Sequence, residues 1–303
     1  MNFAKSAGHT PLPSPPPQGG REQARGSGTS ASGEGEDRVF AANRASSRIA
    51  VSVEASDGAS RPKRVREEGS LRVRFPGAIS EELEAVLLNT AGGIAGGDDL
   101  EIAFSAGPGT RLIVSGAAAE KVYRSLGSDA RVRITLEVAT GATLAWLPQE
   151  TILFDRARIN RAIEVDLALD ARLIVAEAVV FGRSGMGETV ENGRVLDRWR
   201  VRRDGGLLFA DTMRLDGAMA EKLAMPACAN GAVAIASVLM IPADDALVRS
   251  VRELTFSGEV AISAWNGLAL ARLLADTGAK LRQDLVTLLM LLRAGRLPRL
   301  WLN

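Results

Sequence analysis

Two aspartates directly follow a glycine-rich turn in the sequence LLNTAGGIAGGDDLEI, residues 87–102. Gly92 and Gly97 have the four-residue gap of a phosphate-binding P-loop, but that loop needs a lysine and a hydroxyl residue after its last glycine. Asp98 and Asp99 stand there instead, and their charge would repel a phosphate. The sequence predicts a tight turn with positive φ angles, in which Asp98 accepts hydrogen bonds from local backbone amides. A cation site built from the two carboxylates is the alternative.

Three further carboxylates stand where chemistry could use them. Glu177 interrupts the apolar run RLIVAEAVVF, and an unpaired carboxylate buried there would cost roughly several kcal/mol. It must therefore either pair with an arginine or line a solvated cavity. Glu150 and Asp155 flank the short segment TILF and could act as an acid and base pair.

The scarcity of histidine and cysteine excludes whole classes of site. The single histidine, His9, lies in an N-terminal stretch that we expect to be disordered, so the folded part has no imidazole. This excludes Ser-His-Asp and Cys-His nucleophiles, zinc sites of the usual kind and a histidine general base. The single cysteine, Cys228, excludes an intrachain disulfide framework. A single cysteine is typical of a protein in a reducing compartment, so we expect a cytoplasmic protein.

Alternation of apolar and polar residues is the pattern that must position these side chains. In RVRITLEV, residues 131–138, every second residue is apolar, as in a strand with one buried face. Similar segments and further candidate strands, among them residues 143–147, 172–181 and 259–265, recur between residues 71 and 265 and are separated by Gly, Asp and Asn turns. The pattern predicts an all-β-dominated fold, either an antiparallel or distorted sandwich, a barrel or a coiled sheet.

Helices are predicted mainly near the C-terminus. Residues 242–251 could form a short helix with Pro242 in its first turn. After Gly278, apolar residues at a 3.6-residue period predict a longer helix with a buried face, formed by Leu281, Leu285, Leu288, Leu289 and Leu292. Gly295 and Pro298 are expected to end it.

The first 46 residues differ from the rest of the chain in composition. They contain PLPSPPPQGG and then mostly Gly, Ser, Arg and Glu, with few large apolar side chains. We expect residues 1–46 to be a disordered tail and residues 47–303 to be one β domain with C-terminal helices. The net charge of +1 favours neither nucleic acid nor an anionic membrane. Since no charge-free apolar run reaches the roughly 18 residues of a membrane span, we expect neither kind of partner.

Several separated blocks of the chain resemble one known family. They are NTAGGIAGGDDL, AAAEKVYRS, LPQETILFDRARI, FGRSGMGE, DRWRVRRDGGLLFADTMRL and the closing PRLW. Their order, from residue 47 to residue 303, is similar to that in the urease accessory protein UreD, called UreH in some systems. LPQETILFD is the most specific block, and the tail lies outside the resemblance. The family has a proline-containing variant of the first block, where this chain has Thr90 and Ala91.

The resemblance implies a non-catalytic maturation factor, a chaperone rather than an enzyme. Proteins of this family form a scaffold with UreF and the GTPase UreG, dock on the urease apoprotein and help nickel reach its active site. The implied fold is a β-rich, helically wound sheet with a few helices. No tightly bound cofactor is implied, only transient contact with nickel along an internal passage lined by polar groups.

Carboxylates suit such a passage, because a conduit must hold a metal weakly enough to release it. Nickel prefers imidazole and thiolate ligands to carboxylates. We therefore expect Glu177 first, and then Asp98, Glu150 and Asp155, to contribute to nickel passage. The alternative is a carboxylate-dependent β-sandwich hydrolase that uses Glu150 and Asp155. A glycosidase cleft would also need aromatic residues, which make up 4% of this chain.

Overall fold

Strands make up more than half of the chain that the computed structural model describes, which is residues 44–77, 81–293 and 295–302. The predicted tail, residues 1–46, lies outside these ranges except for its last three residues. The strands are β1 (Ser46–Ser56), β2 (Ala59–Glu68), β3 (Leu71–Arg74), β4 (Glu82–Asn89), β5 (Asp99–Ala106), β6 (Arg111–Gly116), β7 (Glu120–Val122), β8 (Ala130–Val138), β9 (Thr143–Leu147), β10 (Thr151–Leu153), β11 (Arg158–Leu167), β12 (Arg172–Phe181), β13 (Asn192–Arg203), β14 (Gly206–Ala218), β15 (Ala234–Ile241), β16 (Glu259–Trp265) and β17 (Leu268–Ala275). The α-helices in this part of the chain are α1 (Met219–Ala224), α2 (Asp245–Arg252) and α3 (Gly278–Leu292). Short 3₁₀ helices span Ser184–Met186 and Arg299–Trp301.

The strands form two sheets that the chain visits in turn. One sheet has seven strands in the order β14-β13-β11-β8-β5-β1-β2. The other has ten, in the order β16-β17-β15-β12-β9-β6-β4-β3, with β10 attached to β12 and β7 attached to β10. From β5 to β13 the chain alternates between the sheets, apart from the short β7 and β10. The result is a helically wound sheet of the β-solenoid type, as the family resemblance implies.

Pairing in the middle of both sheets is parallel, so the prediction of an antiparallel sandwich is wrong there. Strands β5, β8, β11 and β13 pair in parallel in one sheet, and β4, β6, β9 and β12 do so in the other. Antiparallel pairs such as β1 with β2 and β16 with β17 lie toward the ends of the sheets. Side chains alternate with a period of two in both kinds of strand, so the pattern could not separate them. The crossover that parallel neighbours require is here a strand of the opposite sheet.

The main core lies between the two sheets. Strand β8 confirms the alternation predicted for residues 131–138, because its apolar residues are buried and the residues between them are exposed. Phe104 of the seven-stranded sheet contacts Trp146 of the ten-stranded sheet, with ring centroids 6.0 Å apart. Removing such apolar surface from water is the main favourable contribution to folding.

Strand β12 is buried on both faces, because α3 covers the outer side of the ten-stranded sheet. One face of β12 belongs to the cluster that contains the leucines of α3, through Ile174, Ala176 and Ala178. The opposite face lies in the core between the sheets, through Leu173, Val175 and Val179. The period of two gives Glu177 the same direction as these inward residues. The position of Glu177 inside the molecule therefore follows from the local pattern of the strand.

Helix α3 confirms the predicted C-terminal helix and its buried face, which contains Leu281, Leu285, Leu288, Leu289 and Leu292. Thr277 caps its N-terminus by accepting a hydrogen bond from the Lys280 amide at 3.2 Å. The helix ends at Leu292, because Arg293 has an extended backbone, so it stops ahead of Gly295.

Helix α2 begins three residues after the predicted Pro242. Asp244 provides the cap, since its carboxylate accepts a hydrogen bond from the Leu247 amide at 3.0 Å. Helix α1 was not predicted, because six residues are too few for a helical period to be visible. Among the described residues, none of the helices is both long enough and apolar enough to span a bilayer.

Candidate functional site

The glycine turn between β4 and β5 is held by one local hydrogen bond and by one from a residue distant in sequence. Three of its glycines have positive φ angles, Gly92 (79°), Gly93 (154°) and Gly97 (93°). A Cβ atom on Gly93 would lie 2.5 Å from the Tyr123 ring, so the close packing also requires glycine. Asp98 accepts hydrogen bonds from the amides of Ala95 at 2.7 Å and Ala45 at 2.9 Å. The aspartate therefore holds the backbone of the turn, as the tight-turn hypothesis expects.

Glu177 belongs to a buried charge cluster, which consists of Arg161, Glu177 and Asp197. Arg161 on β11 donates through Nη1 to Glu177 on β12 and through Nη2 to Asp197 on β13. All three residues are between 5% and 6% exposed. Trp146 Nε1 also donates to Glu177 Oε1 at 2.7 Å, and Arg161 Nη1 lies 3.4 Å from Thr151 Oγ1. The cluster thus bridges the two sheets inside the core.

The buried charge cluster leaves two polar atoms without partners, Arg161 Nε and Asp197 Oδ1. Burial raises the pKa of Glu177, although Arg161 and the Trp146 N–H act in the opposite direction. Burial alone would lower the pKa of Arg161, but Asp197 and Glu177 outweigh that effect and raise it. The guanidinium is therefore the permanent charge of the cluster, and Glu177 is the member whose charge burial disfavours.

A cavity of about 480 Å³, which we call the large cavity because its neighbour across the buried charge cluster is far smaller, extends from that cluster to the loops beside the glycine turn. Its inner end is formed by Trp146, Arg161 and Glu177, and its outer part includes Asn89 and Glu120. Apolar residues of both sheets form much of the wall between, among them Leu71 and Leu87 of the ten-stranded sheet and Leu100 and Ile134 of the seven-stranded sheet. Glu177 therefore fulfils both alternatives that the sequence left open, since it pairs with Arg161 and also lines a cavity.

A second cavity of only about 20 Å³ lies on the other side of the buried charge cluster. Arg161 and Glu177 line both cavities, and Asp197 lines the smaller one. The smaller cavity is also lined by Asp211 and Arg272, an ion pair with 2.8 Å between Oδ2 and Nη2. About 20 Å³ is enough for one water molecule. The buried charge cluster consequently separates a large cavity from a very small one.

Glu120 is a carboxylate of the cavity that the sequence reasoning missed. It lies on β7, where burial raises its pKa to about 7, while Asn89 partly offsets the rise. Asn89 Nδ2 donates to its two carboxylate oxygens at 3.2 and 3.3 Å. The signal in the sequence is weak, because AAAEKVYRS has no apolar run for the glutamate to interrupt.

Comparison with known proteins agrees with this fold and these motifs. The family model described as "UreD urease accessory protein" matches residues 45–302. The chain belongs to the UreD family. The match begins one residue before β1 and covers both sheets and all three described helices.

Individual relatives in the UreD family are similar over most of their length. A urease accessory protein UreD from Rhodopseudomonas palustris (strain BisB18) is 54% identical over 88% of this chain and 96% of its own length. Urease accessory protein UreD 3 from Bradyrhizobium sp. (strain BTAi1) is 53% identical over the same shares. The protein from Bradyrhizobium diazoefficiens is 50% identical, again over 88% of this chain and 96% of that protein. These relatives are all named accessory proteins of urease.

The other carboxylates predicted for the site lie apart from Glu177 in this UreD-family chain. Asp98 holds the glycine turn, and Glu150 pairs with Arg282 on α3, with Oε1 and Nη1 2.9 Å apart. Asp155 accepts hydrogen bonds from the amides of Glu191 and Asn192, both at 3.0 Å. None of the three is among the described residues that line the large cavity. Within the described chain, no group of three His, Cys, Asp or Glu residues is arranged to hold a metal.

The same contacts give no support to the hydrolase alternative. Glu150 is engaged by an arginine, and Asp155 is engaged by two backbone amides. A pair of catalytic carboxylates must face one cleft across a substrate bond. In the described structure these two carboxylates instead hold different loops in place.

Proposed function

We propose that this chain is a non-catalytic urease maturation factor that assists the insertion of nickel into urease. In this proposal it acts with UreF and the GTPase UreG, and the three proteins dock on the urease apoprotein as a complex. Membership of the UreD family and the names of the relatives support the role in urease maturation. The partners and the metal come from the family resemblance stated above.

The observation that carries the nickel part of the proposal is the large cavity with carboxylates at both of its ends. Glu120 lies in its outer part and Glu177 at its inner end, with mainly apolar wall between them. Carboxylate oxygens attract a divalent cation but bind nickel less strongly than imidazole or thiolate does. The only cysteine in the chain, Cys228, is exposed, and the only histidine, His9, lies outside the described residues. Such a lining favours transfer of the ion over storage.

Glu177 is the first residue to which we assign a role in nickel passage. A cation that reaches the inner end of the cavity would compete with Arg161 for the carboxylate of Glu177. The unpartnered Asp197 Oδ1 is a further acceptor beyond that point. Asp98, Glu150 and Asp155 remain assigned to the passage as predictions, and the assay described below tests each of them in the same way.

The remaining parts of the proposal also rest on the family resemblance. The protein works in the cytoplasm, as a chaperone in a protein complex, without a tightly bound cofactor and without nucleic acid or membrane as a partner. The net charge of +1 supports the absence of a nucleic-acid partner.

Replacement of Glu177 by Gln tests the passage, because it keeps the shape of the side chain and removes its charge. Urease activation is measured in cells that express urease and its accessory genes, at limiting and at excess nickel. We expect activation to fall at limiting nickel and to recover at excess nickel. Glu177→Asp should restore part of the activation at limiting nickel, since it restores the charge.

A control is needed because Glu177→Gln also leaves Arg161 with one fewer buried partner, which costs stability. Asp284→Asn is matched to it, since Asp284 is 2% exposed and accepts amide hydrogen bonds from Ser257 at 2.7 Å and Gly258 at 2.8 Å, away from the cavity. The control should lower the melting temperature without a nickel-dependent loss of activation. If both variants lose activation equally at every nickel concentration, the passage role of Glu177 is wrong.

A further inference from the structure

A cavity of about 610 Å³ lies at the opposite edge of the ten-stranded sheet from the glycine turn. It is lined by Glu82 and Arg111, which are near the beginnings of β4 and β6, whereas the large cavity of the candidate site lies where these strands end. Leu292 and Arg293, at the C-terminal end of α3, also line it. The cavity is therefore distinct from the site described above.

Four side chains form a row across the floor of this cavity, which we call the arginine row: Glu82, Arg111, Thr143 and Arg172. They are directly paired in register on the neighbouring parallel strands β4, β6, β9 and β12. Neighbouring strands are about 4.8 Å apart, so the backbones of Arg111 and Arg172 are separated by roughly 10 Å. The row points to the same side of the sheet as Ile113, Ala145 and Ile174, which pack in the cluster that contains α3.

Arg293 completes the cavity with a buried guanidinium that is only partly satisfied. Its Nη2 donates to the two carboxylate oxygens of Glu82 at 2.9 and 2.7 Å. Its Nε and Nη1 are buried and have no hydrogen-bond partner, and the residue is 8% exposed. Buried donors almost always have a partner, so two such donors on one charged group point to an absent acceptor. An anion is the acceptor that would also stabilise the charge.

The charges around the cavity leave one arginine uncompensated. Arg293 pairs with Glu82, and Arg111 pairs with Glu81 through an exposed contact of 2.6 Å, which contributes little to stability. Arg172 has no ion pair or side-chain hydrogen bond within the described residues. Three guanidinium groups and two carboxylates line the cavity, and Glu84 interacts with Arg293 from outside the lining, so Arg172 is the guanidinium left without a carboxylate partner.

The rest of the cavity wall is apolar, so the cavity combines charged and apolar lining. It includes Ala145, Ile174, Met240 and Leu292. A volume of about 610 Å³ is within the roughly 300–1,000 Å³ of small-ligand pockets, which combine apolar walls with a few fixed polar groups. We propose that this cavity binds a ligand with an apolar body and a terminal carboxylate, which is held by Arg172 and Arg293.

Two sources share this chemistry, a free organic acid and the C-terminal residue of a partner polypeptide. Arginine binds both through the same charge-assisted hydrogen bonds to a carboxylate. The test therefore uses 4-phenylbutyrate for the first source and a short peptide ending in Leu-Leu with a free C-terminus for the second. 4-Phenylbutyramide and the amidated peptide are the matched probes without charge.

Isothermal titration calorimetry on the full-length chain measures the affinity for each probe. We expect at least one acid to bind at least tenfold more tightly than its amide, with weaker binding at higher salt. Arg172→Gln should reduce that affinity about tenfold, and because Arg172 is exposed and unpaired the variant should fold normally. Arg131→Gln on β8 is the control, since Arg131 is also exposed but lies on the other sheet.

The outcomes distinguish the proposal from non-specific binding of apolar ligands in the cavity. Preference for either acid over its amide, lost in Arg172→Gln and kept in Arg131→Gln, supports the proposal, and the better probe indicates the source. Equal affinity for acid and amide overturns it, as does absence of binding by both acids at millimolar concentration. Acid binding that both arginine variants weaken equally would also overturn it.

Discussion

Glu177 shows how much of a site a single residue can reveal before the structure is known. A carboxylate inside an apolar run must have a buried partner or water, and the structure gives it both Arg161 and the large cavity. The sequence also indicated, although less clearly, that its partners Arg161 and Asp197 are buried. Arg161 stands between Ile159 and Ile163, and Asp197 stands between Val195 and Trp199, so alternation places both charges on buried faces. Which of these faces meet could not be predicted, because the order of the strands in the sheets is not a local property.

Glu120 could not be found in this way, because its unusual environment is created by distant residues. Asn89 and the cavity wall come from other strands of the winding.

The environment of Glu120 makes the stability of the folded protein depend on pH. The pKa of Glu120 is raised from its ordinary value of 4.5 to about 7 in the folded protein, so the folded state holds this proton more tightly. The contribution of this group to stability is complete below pH 4.5 and is lost as the pH rises through about 7.

Replacement of Glu120 by Gln removes this pH dependence. Relative to its value at pH 4.5, the stability of Glu120→Gln should exceed that of the wild type by up to about 3 kcal/mol at pH 8. Urea denaturation at a series of pH values measures the difference. Glu164→Gln, on an exposed position of β11, should change stability by less than about 0.5 kcal/mol throughout. A constant difference between Glu120→Gln and the wild type from pH 4.5 to 8 would contradict the raised pKa.

At the scale of elements, apolar alternation and short apolar runs predicted many of the strands, including β12, which is buried on both faces. The predicted bounds of β9, β12 and β16 agree with the structure. Strand β17 was missed, because LALARLLA has the leucine and alanine content of a helix and is a strand only by pairing between β15 and β16. Strand β2 was missed because most of its residues are exposed or half-buried, so it has no apolar face to recognise.

Helix α3 gives an element-scale prediction, because its two faces have opposite environments. Leu288 is fully buried against the ten-stranded sheet, whereas Met290, two residues later, is 63% exposed. Leu288→Ala should lower the free energy of unfolding by about 2 to 5 kcal/mol, since it removes buried methyl groups and leaves a cavity. Met290→Ala should change it by less than about 0.5 kcal/mol. Chemical denaturation of the two variants measures the contrast, and similar losses in both would mean that α3 packs with a different face.

From β4 to β13 the described chain is a winding in which each turn adds one strand to each sheet, and this arrangement explains where the cavities lie. Parallel neighbours begin at one edge and end at the other, so all the loops after β4, β6, β9 and β12 gather at the glycine-turn edge. The large cavity lies between the sheets and includes loop residues of that edge. The arginine row lies where the same strands begin. The proposed nickel passage and the proposed carboxylate site can therefore lie at opposite edges of one sheet.

Contacts of Ala45 that the composition could not reveal make the predicted boundary testable, and they give the last prediction. The predicted boundary was residue 47, but the Ala45 amide donates to Asp98 at 2.9 Å and the Ala45 carbonyl accepts from the Asp99 amide at 2.9 Å. A chain that begins at residue 44 should keep the stability of the full-length protein and the proposed binding to UreF. A chain that begins at residue 47 should lose about 1 to 3 kcal/mol, because Asp98 is 6% exposed and would lose one of its two amide donors. Urea denaturation of both truncated chains measures this difference, and co-purification with UreF measures binding. Equal stability of the two chains would show that the contacts of Ala45 contribute nothing, whereas a loss in the chain that begins at residue 44 would show that residues 1–43 stabilise the fold.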